Sequence, residues 1–241
     1  MELAKIKKQI LSKLLRNKDW LKYSEIYDHA TENDLFNYHL QHLVDKGLVT
    51  KKDKKYHISN AGILYSLNEG SIGAQNYFVD KMKVNVLNLV VKKENGQLYI
   101  LNQQRKRYPF YGQSGISGGV VLKGEKLMQS AKRSLKEKTG LNGEFSKILG
   151  TLRCTFYLGE EIFQDIFFFI CLCGEYSGQL ITENEISINS WQTLNESIVI
   201  EKKNHFGWQT LIDLYESLKI TPIEKIEYFV REEVVRVDSL L

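Results

Sequence analysis

The chain has 241 residues, 43% of them hydrophobic and 26% charged, with 33 Lys+Arg against 29 Asp+Glu and a net charge of +4. That length exceeds the usual single domain, and the composition excludes a disordered, collagen-like or disulfide-stapled chain. The longest apolar run, IFFFICLC from Ile166 to Cys173, falls far short of the roughly 20 residues a membrane helix needs. A buried strand and no membrane partner are expected.

The positive charge is local. Residues 1–60 hold 12 basic and 8 acidic side chains and the remainder 21 of each, so the first quarter carries the whole excess. Such asymmetry suits a segment that meets a polyanion, although a solvated helix face gives the same count. The opening MELAKIKKQILSKLLRNK spreads its lysines through an amphipathic pattern instead of placing them before an apolar block, so a cytoplasmic protein is expected.

Taken in chain order, Ile6, Ile10, Leu14 and Leu15 mark one face of a first helix. Ser24 reads as the cap of a short second helix. Thr31 with Asp34 reads as a capping box that opens a third, running to Lys46 and stopped by Gly47. A strand then starts at Leu48-Val49-Thr50, turns through Lys51-Lys52-Asp53-Lys54-Lys55 and returns at Tyr56-His57-Ile58.

Three helices followed by a basic hairpin, with LFNYHLQHLVDKGLVTKKDKKYHISNAG from Leu35 to Gly62, resemble the recognition helix and wing of bacterial winged helix-turn-helix regulators. The resemblance implies a domain at residues 1–66 that binds double-stranded DNA. Leu35, His39, Leu40 and Leu43 would pack inward. Asn37, Tyr38, Gln41 and His42 would face base edges, and Lys51, Lys52, Lys54 and Lys55 the phosphates. A protein–protein module is the competing reading.

Residues 67–80 read as a linker. Beyond it, Val84 to Val91 is an apolar strand, Asn95-Gly96 a hairpin turn and Gln97 to Gln103 the returning partner. Phe145 to Leu158 and Ile162 to Cys173 read as long strands joined at Gly159-Glu160-Glu161. Cys154, Cys171 and Cys173 fall inside strands and lack the spacing of a zinc knuckle or redox pair, so buried thiols are expected. A helix follows from about Trp208 to Leu218. In the tail at 221–241, Ile223, Ile226, Phe229, Val230, Val234 and Val237 predict an amphipathic helix that docks on the domain, covers the linker or pairs two subunits.

Between these strands lies GVVLKGEKLMQSAKRSLKEKTGL, from Gly119 to Leu141. It resembles the Nudix box, G-x5-E-x7-R-E-U-x-E-E-x-G-U, U being a bulky aliphatic residue. Gly119, Glu125, Arg133, Leu135, Glu137, Gly140 and Leu141 fall on the pattern. Serine stands at 134 and lysine at 138 where it has glutamates. The resemblance implies a Nudix α/β/α sandwich with a mixed sheet at residues 81–220, hence an α/β chain overall. Positions 134 and 138 share one helix face, and in the enzymes this resembles they commonly carry a divalent cation. Ser134 and Lys138 supply no carboxylate, so no metal cofactor is expected, while the ammonium suits a phosphate.

Arg133 and Glu137 read as a structural ion pair and Glu125 as a cap; in an active enzyme Glu125 and Glu137 would be the remaining metal ligands. Arg105, Arg107, Tyr108 and Tyr111, with Lys138, suit a small nucleotide-like ligand through phosphate contacts and ring stacking, an exposed loop being the alternative. Two functions compete. One is a ligand-responsive transcriptional regulator with a non-catalytic Nudix-like sensor. The other is a Mg-dependent hydrolase of nucleoside diphosphate-linked substrates, with Glu137 catalytic and Glu160, Glu161 or Asp165 replacing the missing carboxylates. A homodimer is compatible with either.

Overall fold

The computed structural model describes residues 2–67, 82–204 and 208–241. They form two compact units: residues 2–67 with 106–112 and 238–241, and residues 82–105 with 113–204 and 208–237. The linker expected at 67–80 lies, apart from Leu67, outside the described residues.

The first unit holds α1 (Glu2–Leu15), β1 (Leu21–Lys22), α2 (Tyr23–Ile26), α3 (Asn33–Asp45), β2 (Val49–Lys52), β3 (Lys55–Ile58) and α4 (Asn60–Leu67). Its three strands are ordered β1-β3-β2, all antiparallel. Ile6, Ile10 and Leu14 of α1 are buried, as the helical spacing requires, with Leu11 beside them. From α3 come Phe36, His39, Leu40 and Leu43. Leu35, expected inside, is exposed; Phe36 takes the core position and meets the rings of Tyr23 and Tyr27 edge-on at 5.9 and 5.1 Å.

Neither expected cap forms. Tyr23 begins α2 with Lys22 before it, and the Glu25 carboxylate accepts the Lys22 backbone N–H at 2.7 Å. Glu32 precedes α3 without a side-chain cap bond, because Thr31 is held instead by Asp28, whose carboxylate accepts the N–H groups of Ala30 and Thr31 at 3.1 Å. The β2–β3 turn places Asp53 and Lys54 both at positive φ, 49° and 60°, the tight two-residue geometry that matches strand twist.

The second unit contains β4 (Lys83–Glu94), β5 (Gln97–Arg105), β6 (Ser114–Val120), α5 (Leu127–Thr139), β7 (Asn142–Leu158), β8 (Glu161–Ser177), β9 (Ser187–Thr193), α6 (Leu194–Lys203), α7 (Gln209–Ile220) and β10 (Phe229–Val237). Seven strands make one sheet in the order β10-β7-β8-β4-β6-β5-β9, with β4 also pairing β5. It is mixed, since β4–β8 and β7–β10 run parallel and the other pairs antiparallel. Alternation along β4 sends Val86 and Val90 to the face under α5, where they meet Ala131, Leu135, Leu141, Cys171 and Cys173. Each fully buried aliphatic side chain there contributes about 1.5–3 kcal/mol. Burial raises all three cysteine thiols, Cys171 to about 12 and Cys173 to about 11, so they are inert packing groups.

The tail corrects the expected amphipathic helix. Residues 229–237 form a strand in parallel register with β7, from Phe229 opposite Gly150 to Val237 opposite Leu158. Two local causes outweigh the helical spacing. Four of the nine residues are valine, which favours a pleated conformation. At Gly150 the bare backbone receives the Phe229 ring, which a Cβ there would meet at 2.5 Å. No helix among the described residues is long and apolar enough to cross a membrane.

Candidate functional site

The Gly119–Leu141 segment runs from the end of β6 through a loop into α5. Arg133 holds that loop closed. Its Nε and Nη2 bind the two Glu125 oxygens at 2.8 and 2.9 Å, Nη2 also reaches the Val120 carbonyl at 2.9 Å, and Nη1 reaches Glu137 at 3.1 Å. The Arg133 guanidinium pulls the Glu125 carboxyl down to about 2. Glu125 also accepts the Leu122 N–H at 3.1 Å, so it ties the loop, while Lys126 occupies the position before the helix. Gly140 ends α5 at φ 77°, where a Cβ would lie 2.9 Å from the Gln179 carbonyl oxygen.

Beneath α5 the segment is polar. Ser134 is 1% exposed, accepts the Asn88 side-chain N–H at 3.0 Å and donates to the Ala131 carbonyl at 3.2 Å. Gly119 allows this approach, since a Cβ there would fall 2.5 Å from the Ser134 Cβ. Asn88 pairs Ser117 across β4 and β6, and both Asn88 Oδ1 and Ser117 Oγ are buried without hydrogen-bond partners. The Lys138 ammonium donates to the Gly118 carbonyl. The Lys138 carbonyl in turn accepts the side-chain amides of Asn184 and Asn189 at 2.9 and 3.0 Å. Glu137 is turned outward, its side chain 58% exposed.

Residues 134 and 138 are thus brought together with Asn88, Ser117 and Gly118 in one polar slot between sheet and helix. Sequence reasoning passed over Asn88 and Ser117. The signal for Asn88 was an amide, one of two, inside the otherwise apolar VNVLNLVV, since a buried polar side chain demands a partner.

The Arg105–Tyr111 group is divided. Arg105 ends β5 in the second unit, opposite Ser187. Arg107, Tyr108 and Tyr111 belong to the first. There the Tyr108 N–H donates to the Leu15 carbonyl at 2.9 Å, and its buried ring lies 5.8 Å from His57 and 5.6 Å from Tyr111. Arg107 is exposed. Asp165 is held by Arg153 at 2.9 Å. It stands six residues along β8 from Cys171, which packs under α5, a distance of about 20 Å at ~3.3 Å per residue. Glu160 and Glu161 lie farther along the same hairpin.

In the first unit, Asn37 and Tyr38 are exposed on α3, Tyr38 by 62%. Gln41 donates to Asn37 Oδ1 and to the Tyr56 hydroxyl, both at 3.3 Å. His42 is half-buried. His39 is buried, and burial, with Lys7 and His42 nearby, lowers its pKa. Lys51, Lys52, Lys54 and Lys55 are exposed on the β2–β3 hairpin, the Lys51 ammonium 5.4 Å from the Tyr56 ring centre. Asp34 and Asp45 are the charged residues of α3 itself, and the basic side chains next to it come from Lys7, from Lys46 at its end and from the hairpin.

A mixed sheet with a glycine-bounded loop and helix, laced by Glu125, Arg133 and Glu137, defines an α/β domain of Nudix type. The NUDIX domain family matches residues 81–214, more than half of the chain, and the chain belongs to that family. Residues 4–65 match a family described as a domain of unknown function, DUF7347. No curated protein matches. Similar solved structures include a MutT protein of Bacillus halodurans, 15% identical, covering 62% of this chain and 89% of its own at a TM-score of 0.49. The NUDIX domain of Shewanella oneidensis NrtR, complexed with ADP ribose, is 20% identical, covering 64% and 97% at 0.47. An Ap4A hydrolase of C. elegans is 15% identical, covering 58% and 97% at 0.40.

Proposed function

We propose that this chain is a ligand-responsive, DNA-binding transcriptional regulator whose Nudix domain binds a nucleotide-type ligand without hydrolysing it. The observation that carries this reading is the Lys138 ammonium on the Gly118 carbonyl. A hard cation such as magnesium needs converging oxygen donors, usually one or two carboxylates. Here position 138 presents a cation of its own and position 134 a buried hydroxyl, Glu125 is committed to Arg133, and Glu137 points outward. Among the described residues no group of three or more His, Cys, Asp or Glu side chains could hold a metal ion. The residues present do not fit magnesium, so no water-activating step is derived through it.

What remains suits binding. A lysine ammonium attracts phosphate, and the unpartnered Asn88 and Ser117 oxygens under α5 offer hydrogen-bonding capacity to a polar ligand or water. The first unit supplies the output. Its order of three helices followed by a basic antiparallel hairpin supports a winged helix-turn-helix, with Asn37, Tyr38, Gln41 and His42 toward base edges and the hairpin lysines toward phosphates.

The test is turnover. With magnesium or manganese, the protein is expected to hydrolyse ADP-ribose, dinucleotides and nucleoside triphosphates no faster than its Glu137→Gln variant. Turnover that vanishes with Glu137→Gln would replace the regulator with the Mg-dependent hydrolase of nucleoside diphosphate-linked substrates.

A further inference from the structure

We propose that two copies of this chain pair through β10, edge to edge and antiparallel, on a two-fold axis at Val234. β10 closes one end of the seven-stranded sheet, and among the described residues it pairs with β7 alone. Its other backbone edge is nine residues long and contains no proline, and its four charged side chains, Arg231, Glu232, Glu233 and Arg236, are two of each sign, so they repel a second strand only in registers that oppose like charges. One face of it is fully exposed, bearing Val230, Glu232, Val234 and Arg236, with the two valines 61% and 62% accessible.

The occupant follows from the order of these side chains. A two-fold axis perpendicular to the sheet keeps each face on its own side, so even-numbered residues meet even-numbered ones. An axis at Glu232 would set that carboxylate against itself. An axis at Glu233 would set Val230 against Arg236 and Glu232 against Val234, with no charge matched. At Val234 the valine meets its own copy, and Glu232 meets Arg236 twice, once on each side. Opposite charges directly across a strand pair stabilise it, whereas like charges do the reverse. Within one copy these groups have only weak exposed contacts: Glu232 lies 3.9 Å from Arg153, and the Arg236 guanidinium 4.3 Å from the Tyr157 ring centre. The strand is therefore complementary to itself in one register.

That register is testable by cross-linking in the full chain. Directly opposite residues of an antiparallel pair have Cα atoms about 4.5–5.5 Å apart, inside the range a disulfide spans. The native Cys154, Cys171 and Cys173 are buried. Mild oxidation is expected to link Val234→Cys into a covalent dimer and to leave Glu232→Cys unlinked. Sedimentation should show a dimer that Glu232→Arg weakens at least ten-fold and that Glu232→Arg with Arg236→Glu restores. In the unmodified chain, β10 amides should exchange with deuterium more slowly as protein concentration rises. A chain that sediments as a monomer throughout the micromolar range, β10 exchange independent of concentration, or linking at 232 as efficient as at 234 would each overturn the proposal.

Discussion

Gly119→Ala probes the closeness of β6 and α5 on which the polar slot depends. The added Cβ would stand 2.5 Å from the Ser134 Cβ and 3.1 Å from its Oγ, whereas carbons in contact sit about 3.5–4.0 Å apart. Helix and strand must separate by about 1 Å to relieve this. Overpacking of that kind costs about 1–3 kcal/mol, and for a chain of this size each kcal/mol lowers Tm by about 2–4 °C. A fall of about 2–12 °C is expected in a thermal melt followed by circular dichroism. Ser134→Gly removes the opposing atom, at about 0.5 kcal/mol in helix propensity relative to serine and about 0.5–1.5 kcal/mol for the Asn88 hydrogen bond. The double variant should therefore be more stable than the sum of the two losses predicts. A Gly119→Ala protein that melts within a degree of the parent, or a strictly additive cycle, would refute the geometry.

On DNA, Lys54→Ala with Lys55→Ala should weaken binding to every duplex and flatten the dependence of log K on log salt by about one unit for each phosphate no longer neutralised. Asn37→Ala should instead cost about 1–3 kcal/mol on a preferred site and little on random duplex; equal losses on both kinds of DNA would contradict the base-edge assignment. Acid stability depends on Glu125, whose carboxyl is held at about 2 against an ordinary 4.5. Because the folded value is depressed, its ion pair with Arg133 contributes above pH ~4.5 and fades as pH falls toward 2. The Tm gap between the parent and Glu125→Gln should accordingly narrow on titration from pH 5 to pH 3, and a constant gap would show that the pair is not the source.

Most strands were legible because their signals are local. Asn95 and Gly96 both sit at positive φ, 51° and 77°, as their turn type demands. The largely apolar runs at 84–91 and 162–173 lie within long strands. Apart from the two helix caps, what failed depended on partners outside the local segment. Periodicity could not distinguish a helix from a strand at 229–237, since the deciding contact is Phe229 over Gly150. Leu35 and Phe36 are both apolar, and only the rings of Tyr23 and Tyr27 choose between them. Likewise, the sequence places Arg105 and Arg107 two residues apart, but the chain assigns them to different compact units.

The box itself separates two kinds of residue that the sequence pattern sets side by side. Gly119 and Gly140 answer steric demands of backbone approach, Leu135 and Leu141 fill the core under the sheet, and Glu125 with Arg133 tie the loop. None of these needs a metal to be satisfied. Positions 134 and 138 are tied to the sheet as well: serine closes hydrogen bonds with Asn88 and Ala131 against the bare Gly119 backbone, and lysine finds the Gly118 carbonyl. Serine and lysine at these positions thus each find hydrogen-bond partners within the domain. A cation at 138 does more than remove a metal ligand: a positive side chain on that carbonyl opposes a second cation and favours an anion.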